Sequence, residues 1–115
     1  MNIAALSEEE LVALVMRNAV EESELSHVLL YLKGRHSEIT DSEAICALSK
    51  IILDLISASI VGMYSFTPGR TIQSAEEYED LSKNEIRVVL ENEENWKSDR
   101  SGNKAYSLFL PDSGS

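Results

Sequence analysis

A chain of 115 residues has the length of one ordinary domain, and its 43% hydrophobic and 26% charged residues suit a chain that folds around a core. This composition predicts a single globular domain over residues 1–110 and excludes an acidic chain that stays unfolded. The 20 acidic and 10 basic residues give a net charge of −10, which disfavours direct binding to nucleic acid because phosphates need a basic face.

The apolar stretches do not indicate export or membrane insertion. The N-terminal stretch MNIAALSEEE has no basic region before its glutamates, unlike a secretory or transit peptide. The most apolar stretch, residues 44–64, is interrupted by Lys50 and Asp54, which argues against a membrane span. The single cysteine, Cys46, lies in an apolar helical run and is expected to be a small buried residue. We therefore expect a cytoplasmic protein that does not bind membranes.

Four helix starts are marked by capping boxes, in which Ser or Thr is followed three residues later by Glu. The four pairs are Ser7 with Glu10, Thr40 with Glu43, Ser74 with Glu77, and Ser82 with Glu85. The first box and the apolar spacing after it predict a helix over residues 8–20. The leucines and valine of SELSHVLLYLKG predict a second helix over 24–33, closed by Gly34.

The third helix has a nearly unbroken apolar seam from Ala44 to Ile56 and is apolar beyond one face, and such a helix is usually central in a domain. Two shorter helices are predicted over 75–81 and 83–91. The β-forming stretches IVGMYSF and KAYSLFL predict two strands that pair antiparallel, with turns at TPGR and SDRSGN. The predicted fold is therefore α+β: a helix-rich single domain with about five helices, a small antiparallel sheet of two or three strands, and a disordered tail over 111–115.

The sequence motifs do not predict catalysis. The five glycines of the chain are isolated from one another, so they do not form a phosphate-binding loop. The serines lack a nucleophile-elbow context. His27 and His36 have no cysteine or carboxylate at metal-ligand spacing beside them. We therefore predict no enzyme activity, no catalytic residue, no cofactor and no metal.

Acidic residues are concentrated in the last third of the chain. Between Glu76 and Glu94, eight acids and two bases give a local net charge of −6. Such a surface can steer a basic protein into contact, although some of these acids cap helices or maintain solubility. The predicted partner-binding residues are Glu76, Glu77, Glu79, Asp80, Glu91, Glu93, Glu94, Trp96 and Asp99.

The only tryptophan, Trp96, follows the glutamates of LENEENW. Its ring either packs this segment onto the sheet or stands exposed as an anchor for a partner. We favour an arrangement in which the ring packs while the glutamates around it face a partner. Tyr64 and Tyr106, on the two predicted strands, have the same two interpretations.

In its small size, strong acidity and lack of a catalytic motif, the chain resembles the immunity proteins of bacterial toxin systems. Those proteins bind and neutralise a cognate toxin, often a basic nuclease. The resemblance implies a stoichiometric inhibitor with a basic toxin domain as its partner. The stretch IRVVLENEENW followed by KAYSLFLP also resembles the ending of some small bacterial proteins.

Two alternatives belong to other classes of function. The order of helices, EIT, DSEAICALSKIILDL and IVGMYSF is similar to a winged-helix domain, which implies a regulatory role. The third helix departs from that pattern because it shows no internal turn and lacks exposed Arg and Lys for DNA. The other alternative is a homo-oligomeric accessory protein whose interface is the apolar surface of the third helix.

Overall fold

The structure is a computed structural model that describes residues 7–66, 79–97 and 105–111. In chain order its elements are α1 (Glu8–Val20), α2 (Leu25–Arg35), α3 (Asp41–Ser57), β1 (Gly62–Phe66), β2 (Glu79–Asp80), α4 (Lys83–Glu91), a 3-10 helix (Glu93–Trp96) and β3 (Ala105–Phe109). The predicted class, a helix-rich α+β domain with a small antiparallel sheet, is confirmed. The turns predicted at TPGR and SDRSGN and the tail at 112–115 lie outside the described residues.

Side-chain caps set the start of three helices. Thr40 and Ser82 form complete capping boxes with the glutamates three residues later, at the starts of α3 and α4. At the start of α1 only half of the box forms: the Ser7 hydroxyl accepts a hydrogen bond of 3.0 Å from the Glu10 backbone N–H, while the Glu10 carboxylate reaches towards α2. The fourth box, Ser74 with Glu77, lies outside the described residues.

Helix α3 is the central helix, as its apolar pattern predicts. It contacts α1, α2 and α4, and its buried side chains are Ala44, Ile45, Leu48, Ile51, Ile52 and Leu55. The prediction that Cys46 is buried is wrong, because the helical periodicity turns this position away from the buried face and leaves the thiol exposed. None of the large apolar side chains of α3 is fully exposed. The apolar surface that suggested an oligomer interface is therefore largely covered within the chain.

The three strands form one antiparallel sheet in the order β2, β1, β3. Met63 and Leu108 lie opposite each other and are buried against the helices, because alternate residues of a strand point to opposite faces. Tyr64, Phe66 and Phe109 are half-buried on the other face. The predicted antiparallel pairing of the two long strands is confirmed, and β2 adds a third strand at one edge.

Two helix predictions differ from the structure. Helix α2 passes through Gly34 and ends at Arg35, so this glycine lies within the last helical turn. Within the range predicted as a helix over 75–81, Glu79 and Asp80 form strand β2, and the Leu81 backbone N–H after them donates to the Met63 carbonyl. Residues 75–78 lie outside the described residues. The EIT segment is a turn that leads into the α3 cap. Just before α2 and α3, Glu24 forms an isolated antiparallel β-bridge with Ser107 of strand β3.

Two helices end in residues with left-handed backbone conformation. Glu22 after α1 has a φ of 52° and Ser59 after α3 has a φ of 61°. In both turns the next N–H closes a hydrogen bond to a carbonyl five residues back, from Ser23 to Asn18 and from Ile60 to Leu55. This geometry ordinarily selects glycine, because a side chain there is strained.

None of the helices within the described residues has the length and continuous apolar character that crossing a bilayer requires.

Candidate functional site

Trp96 anchors the segment in which the sequence placed the partner-binding glutamates. Its side chain is 2% exposed, and the indole Nε1–H donates a hydrogen bond of 3.2 Å to the Leu90 carbonyl at the end of α4. The Asn95 side chain donates to the Val89 carbonyl one position earlier, at 3.0 Å. The interpretation in which the ring packs is therefore confirmed. The burial of the ring leaves little of its surface for a partner, and the assignment of Trp96 to partner binding stays a prediction.

The glutamates around this anchor lie on the surface. Glu91, Glu93 and Glu94 are all exposed, at the end of α4 and in the 3-10 helix. The Ser42 hydroxyl of α3 donates to Glu93 at 3.3 Å. Glu91 is the last residue of α4, and Glu93 and Glu94 lie in the 3-10 helix that Trp96 anchors. We call these three exposed carboxylates the α4 acidic surface (Glu91, Glu93 and Glu94).

Neighbouring lysine and arginine residues reduce the charge of this region. Lys97 forms an ion pair of 2.7 Å with Glu94, and the hydrogen bond from this pairing, with the attraction between the two charges, raises the pKa of Lys97. Residues 79–97 together hold six acids and three bases, a net charge of −3. The predicted local charge of −6 applies to residues 76–94, so it includes two glutamates outside the described residues and omits Lys97.

The remaining predicted site residues fall into two groups. Glu76, Glu77 and Asp99 lie outside the described residues. Glu79 and Asp80 form strand β2 at the sheet edge, where Asp80 is exposed and faces Tyr64. The structure therefore leaves the three glutamates of the α4 acidic surface exposed and places Asp80 in a different groove.

A groove beside the α4 acidic surface has mixed charge. It measures about 380 Å³ and lies between α2, the start of α3 and the 3-10 helix. Lys33 and Asp41 form an ion pair in its wall, and Glu93 and Lys97 line it as well. Since two bases and two acids contribute, this groove does not select a partner by its charge.

A second groove, on the outer face of the sheet, combines aromatic rings with carboxylates. It measures about 310 Å³, and we call it the sheet groove; its described lining consists of Glu22, Tyr64, Asp80, Phe109 and Leu110. The Tyr64 hydroxyl donates a hydrogen bond of 3.2 Å to Glu22. The ring centroids of Tyr64 and Phe109 are 5.9 Å apart. Sequence reasoning missed this site, apart from naming Asp80 and noting that Tyr64 was ambiguous.

The turn between α1 and α2 carries the charge signal that could have indicated the sheet groove. Residues 18–32 include Glu21, Glu22 and Glu24 and contain no lysine or arginine. This imbalance is visible in the sequence. The proximity of this turn to Tyr64 and Asp80 is not visible in the sequence, since these residues are about 40 and 60 positions further along the chain.

A polar cluster joins the start of α1 to the end of α2. Glu10 of α1 contacts the His36 ring at 2.7 Å and the Arg35 side chain at 3.2 Å. The hydrogen bond with His36 contributes most to lowering the pKa of Glu10. Desolvation opposes this effect, and the hydrogen bond with Arg35, a smaller contribution than desolvation, lowers the pKa further. A carboxyl with a lowered pKa in the folded state stabilises the fold above its ordinary value of 4.5, and this stabilisation is lost as the pH falls through the lowered value.

Glu10→Gln is therefore expected to make the free energy of unfolding less dependent on pH between about pH 3 and 6. His36→Ala should flatten the same curve, because it removes the largest cause of the shift. The double variant should match Glu10→Gln alone, since that substitution already removes the contacts of the carboxylate with both His36 and Arg35. Urea titrations at each pH measure this, and additive effects of the two substitutions would show that the groups act independently.

The described residues also bear on metal binding. Residues 7–66, 79–97 and 105–111 contain no group of three or more His, Cys, Asp and Glu side chains placed to hold a metal ion. His27 is an exposed residue of α2. Comparison of the chain with models of protein families, with curated proteins and with solved structures gives no match.

Proposed function

We propose that this protein is an acidic protein-binding module that inhibits a basic partner stoichiometrically, in the manner of an immunity protein that neutralises a nuclease-like toxin domain. The observation that carries the proposal is the α4 acidic surface, three exposed carboxylates on a segment that the buried Trp96 anchors. A surface held in place before binding loses less conformational entropy when a partner docks. The net charge of −10 adds long-range attraction towards a basic protein.

The first test is to capture the partner. The tagged full chain is incubated with a lysate of the native cell at low and at high salt, and bound proteins are identified by mass spectrometry. The expected result is one basic protein in equal amount that dissociates at high salt, because screening weakens attraction between exposed charges. Self-association alone, or no captured protein, would contradict the proposal.

Reversing the charges of the α4 acidic surface is expected to weaken binding of the captured partner. Glu91→Lys, Glu93→Lys and Glu94→Lys combined should lower the affinity at least about tenfold, mainly through slower association. The matched control reverses three exposed acids elsewhere, Glu9, Glu38 and Asp54, and changes the net charge equally. Surface plasmon resonance measures both rates, and circular dichroism checks that each variant is folded. Equal weakening by the control would show that net charge alone acts and would remove the α4 acidic surface as the contact site.

A winged-helix-like regulator remains the alternative, and one observation favours it. The bridge from Glu24 to Ser107 precedes the helix pair α2 and α3, and the antiparallel strands β1 and β3 follow that pair. This is the order of a winged-helix domain, with β2 and α4 inserted between the two wing strands. Retention of the chain on double-stranded DNA at physiological salt would favour this regulator over the protein-binding module. A mass in solution above that of one chain would favour an oligomeric accessory protein.

A further inference from the structure

The sheet groove has a floor of aromatic rings on the face of the sheet opposite to the one that packs against the described helices. Tyr64 lies between Phe66 and Phe109, with ring centroids 5.9 Å from each. The Phe109 ring rests directly against Gly62 of the neighbouring strand: a Cβ at position 62 would lie 2.6 Å from its Cζ atom. The absence of a side chain at Gly62 therefore lets this ring lie close to the sheet.

Carboxylates stand on two sides of this aromatic floor. Glu22 approaches from the turn after α1 and accepts the hydrogen bond from the Tyr64 hydroxyl. Asp80 approaches from β2, where it lies directly opposite Tyr64, so both side chains point to the same face of the sheet. The described residues that line the groove include no lysine or arginine. The groove is therefore both aromatic and negatively charged.

We propose that the sheet groove receives an arginine side chain of the basic partner protein, a step that rests on the proposed function and adds to it. The guanidinium group would lie between the carboxylates of Glu22 and Asp80, and its aliphatic stem would pack on Tyr64 and Phe109. The volume of about 310 Å³ is at the small end of ligand-binding clefts, which suits one long side chain.

Arginine fits this groove better than lysine for two reasons. Its planar guanidinium stacks on aromatic faces and donates to two carboxylates at once, whereas the ammonium group of lysine is a strongly hydrated point charge. The attraction between a cation and the face of an aromatic ring adds to the binding. The proposal therefore assigns to the partner an exposed arginine that is set in the groove, in addition to the wider attraction between the two charged proteins.

The test uses the full chain labelled with ¹⁵N and a blocked pentapeptide with arginine at the centre of four glycines. The control peptide carries citrulline, which has nearly the same shape as arginine and no charge. The arginine peptide is expected to shift the amide signals of Glu22, Tyr64, Asp80 and Phe109 saturably, with a dissociation constant on the order of 1 mM. The citrulline peptide should bind at least about tenfold more weakly, since charge-assisted hydrogen bonds are lost.

Variants in the groove separate binding from folding. Asp80→Asn and Glu22→Gln remove charge with little change of shape, and each should weaken binding of the arginine peptide several-fold. Glu22→Gly offers a sharper test, because it removes the carboxylate and at the same time relieves the left-handed backbone at φ 52°. It should weaken binding without lowering the melting temperature. The matched control is Ser59→Gly, which relieves the same strain after α3 at φ 61° and should leave peptide binding unchanged.

Three results of the peptide titration would overturn the groove proposal. Equal binding of the citrulline peptide would show that charge is not recognised. Saturable shifts confined to Glu91, Glu93 and Glu94 would move the arginine site to the α4 acidic surface and leave the acidic protein-binding module intact. Absence of saturable shifts anywhere would remove the groove as an arginine site, whereas the proposed function is judged separately by capture of the partner.

The captured partner gives a second test of the groove. Glu22→Lys combined with Asp80→Lys should lower the affinity for this partner, and unchanged affinity would contradict the use of the groove.

Discussion

Trp96→Ala is expected to destabilise the protein by about 3–5 kcal/mol, the largest effect of any single substitution considered. The indole ring is 2% exposed and is among the largest fully buried side chains, so its removal leaves a cavity beneath the 3-10 helix. The substitution also removes the hydrogen bond that the indole N–H donates to the Leu90 carbonyl. Urea unfolding measures the change, followed by far-ultraviolet circular dichroism because the variant lacks the only tryptophan.

Two further variants divide this effect between packing and hydrogen bonding. Trp96→Phe keeps an aromatic ring and loses the N–H, and the Leu90 carbonyl is then left without this donor, at a cost of about 1–3 kcal/mol in addition to the loss of ring volume. Val88→Ala on α4 is the surface control: the side chain is 67% exposed, and the change should stay within about 0.5 kcal/mol. A loss below about 1 kcal/mol for Trp96→Ala would show that the ring is exposed in solution.

Leu48→Ala is expected to destabilise the protein by about 2–5 kcal/mol. Leu48 lies in the middle of α3 with no exposed surface, and α3 contacts three other helices, so neighbouring side chains have little freedom to fill the space. Cys46→Ala is the matched control on the same helix, because its side chain is exposed, and it should change stability by less than about 0.5 kcal/mol.

The exposure of Cys46 permits an independent check of the orientation of α3. The thiol should react with a water-soluble disulfide reagent in the folded protein at a rate similar to that in urea, since no unfolding is needed to reach it. Protection of the thiol in the folded state, together with a large effect of Cys46→Ala, would show that α3 is rotated about its axis relative to this structure.

The core substitutions and the surface substitutions test different properties of the same segment. Trp96 is buried, so under the proposed function it would affect partner binding only through the position of the 3-10 helix, whereas Glu91, Glu93 and Glu94 face solvent. Trp96→Ala should therefore weaken stability and partner binding together. Charge reversal of the α4 acidic surface should weaken binding alone, because exposed side chains contribute little to the core.

The helices were largely predictable because their signals are local. Ser82 and Glu85 satisfy each other's backbone donors within one turn, so the start of α4 at Lys83 follows from four adjacent residues. The apolar spacing in α3 predicts its buried face in the same way. The prediction for Cys46 was wrong because burial on a helix depends on the angular position of a residue around the axis and not on the apolar character of its sequence neighbours.

Short segments and groove sites were not predictable because they depend on contacts between distant parts of the chain. Strand β2 has two residues, and its conformation comes from hydrogen bonding to β1 rather than from its own composition. The full capping box predicted before α1 forms only in part, because folding brings His36 within reach of the Glu10 carboxylate. Local propensity is weak compared with such contacts between elements.

By itself, the sequence determined the α+β class, the four described α-helices, the two longer strands and the strong negative charge, all of which depend on composition or on residues within one or two turns of each other. The tertiary structure decided that Trp96 faces the core and that Glu22, Tyr64 and Asp80 share one groove. These outcomes depend on the closure of long loops and on the packing of a common core. Neither can be predicted from the spacing of residues along the chain, because both bring together residues that are far apart in sequence.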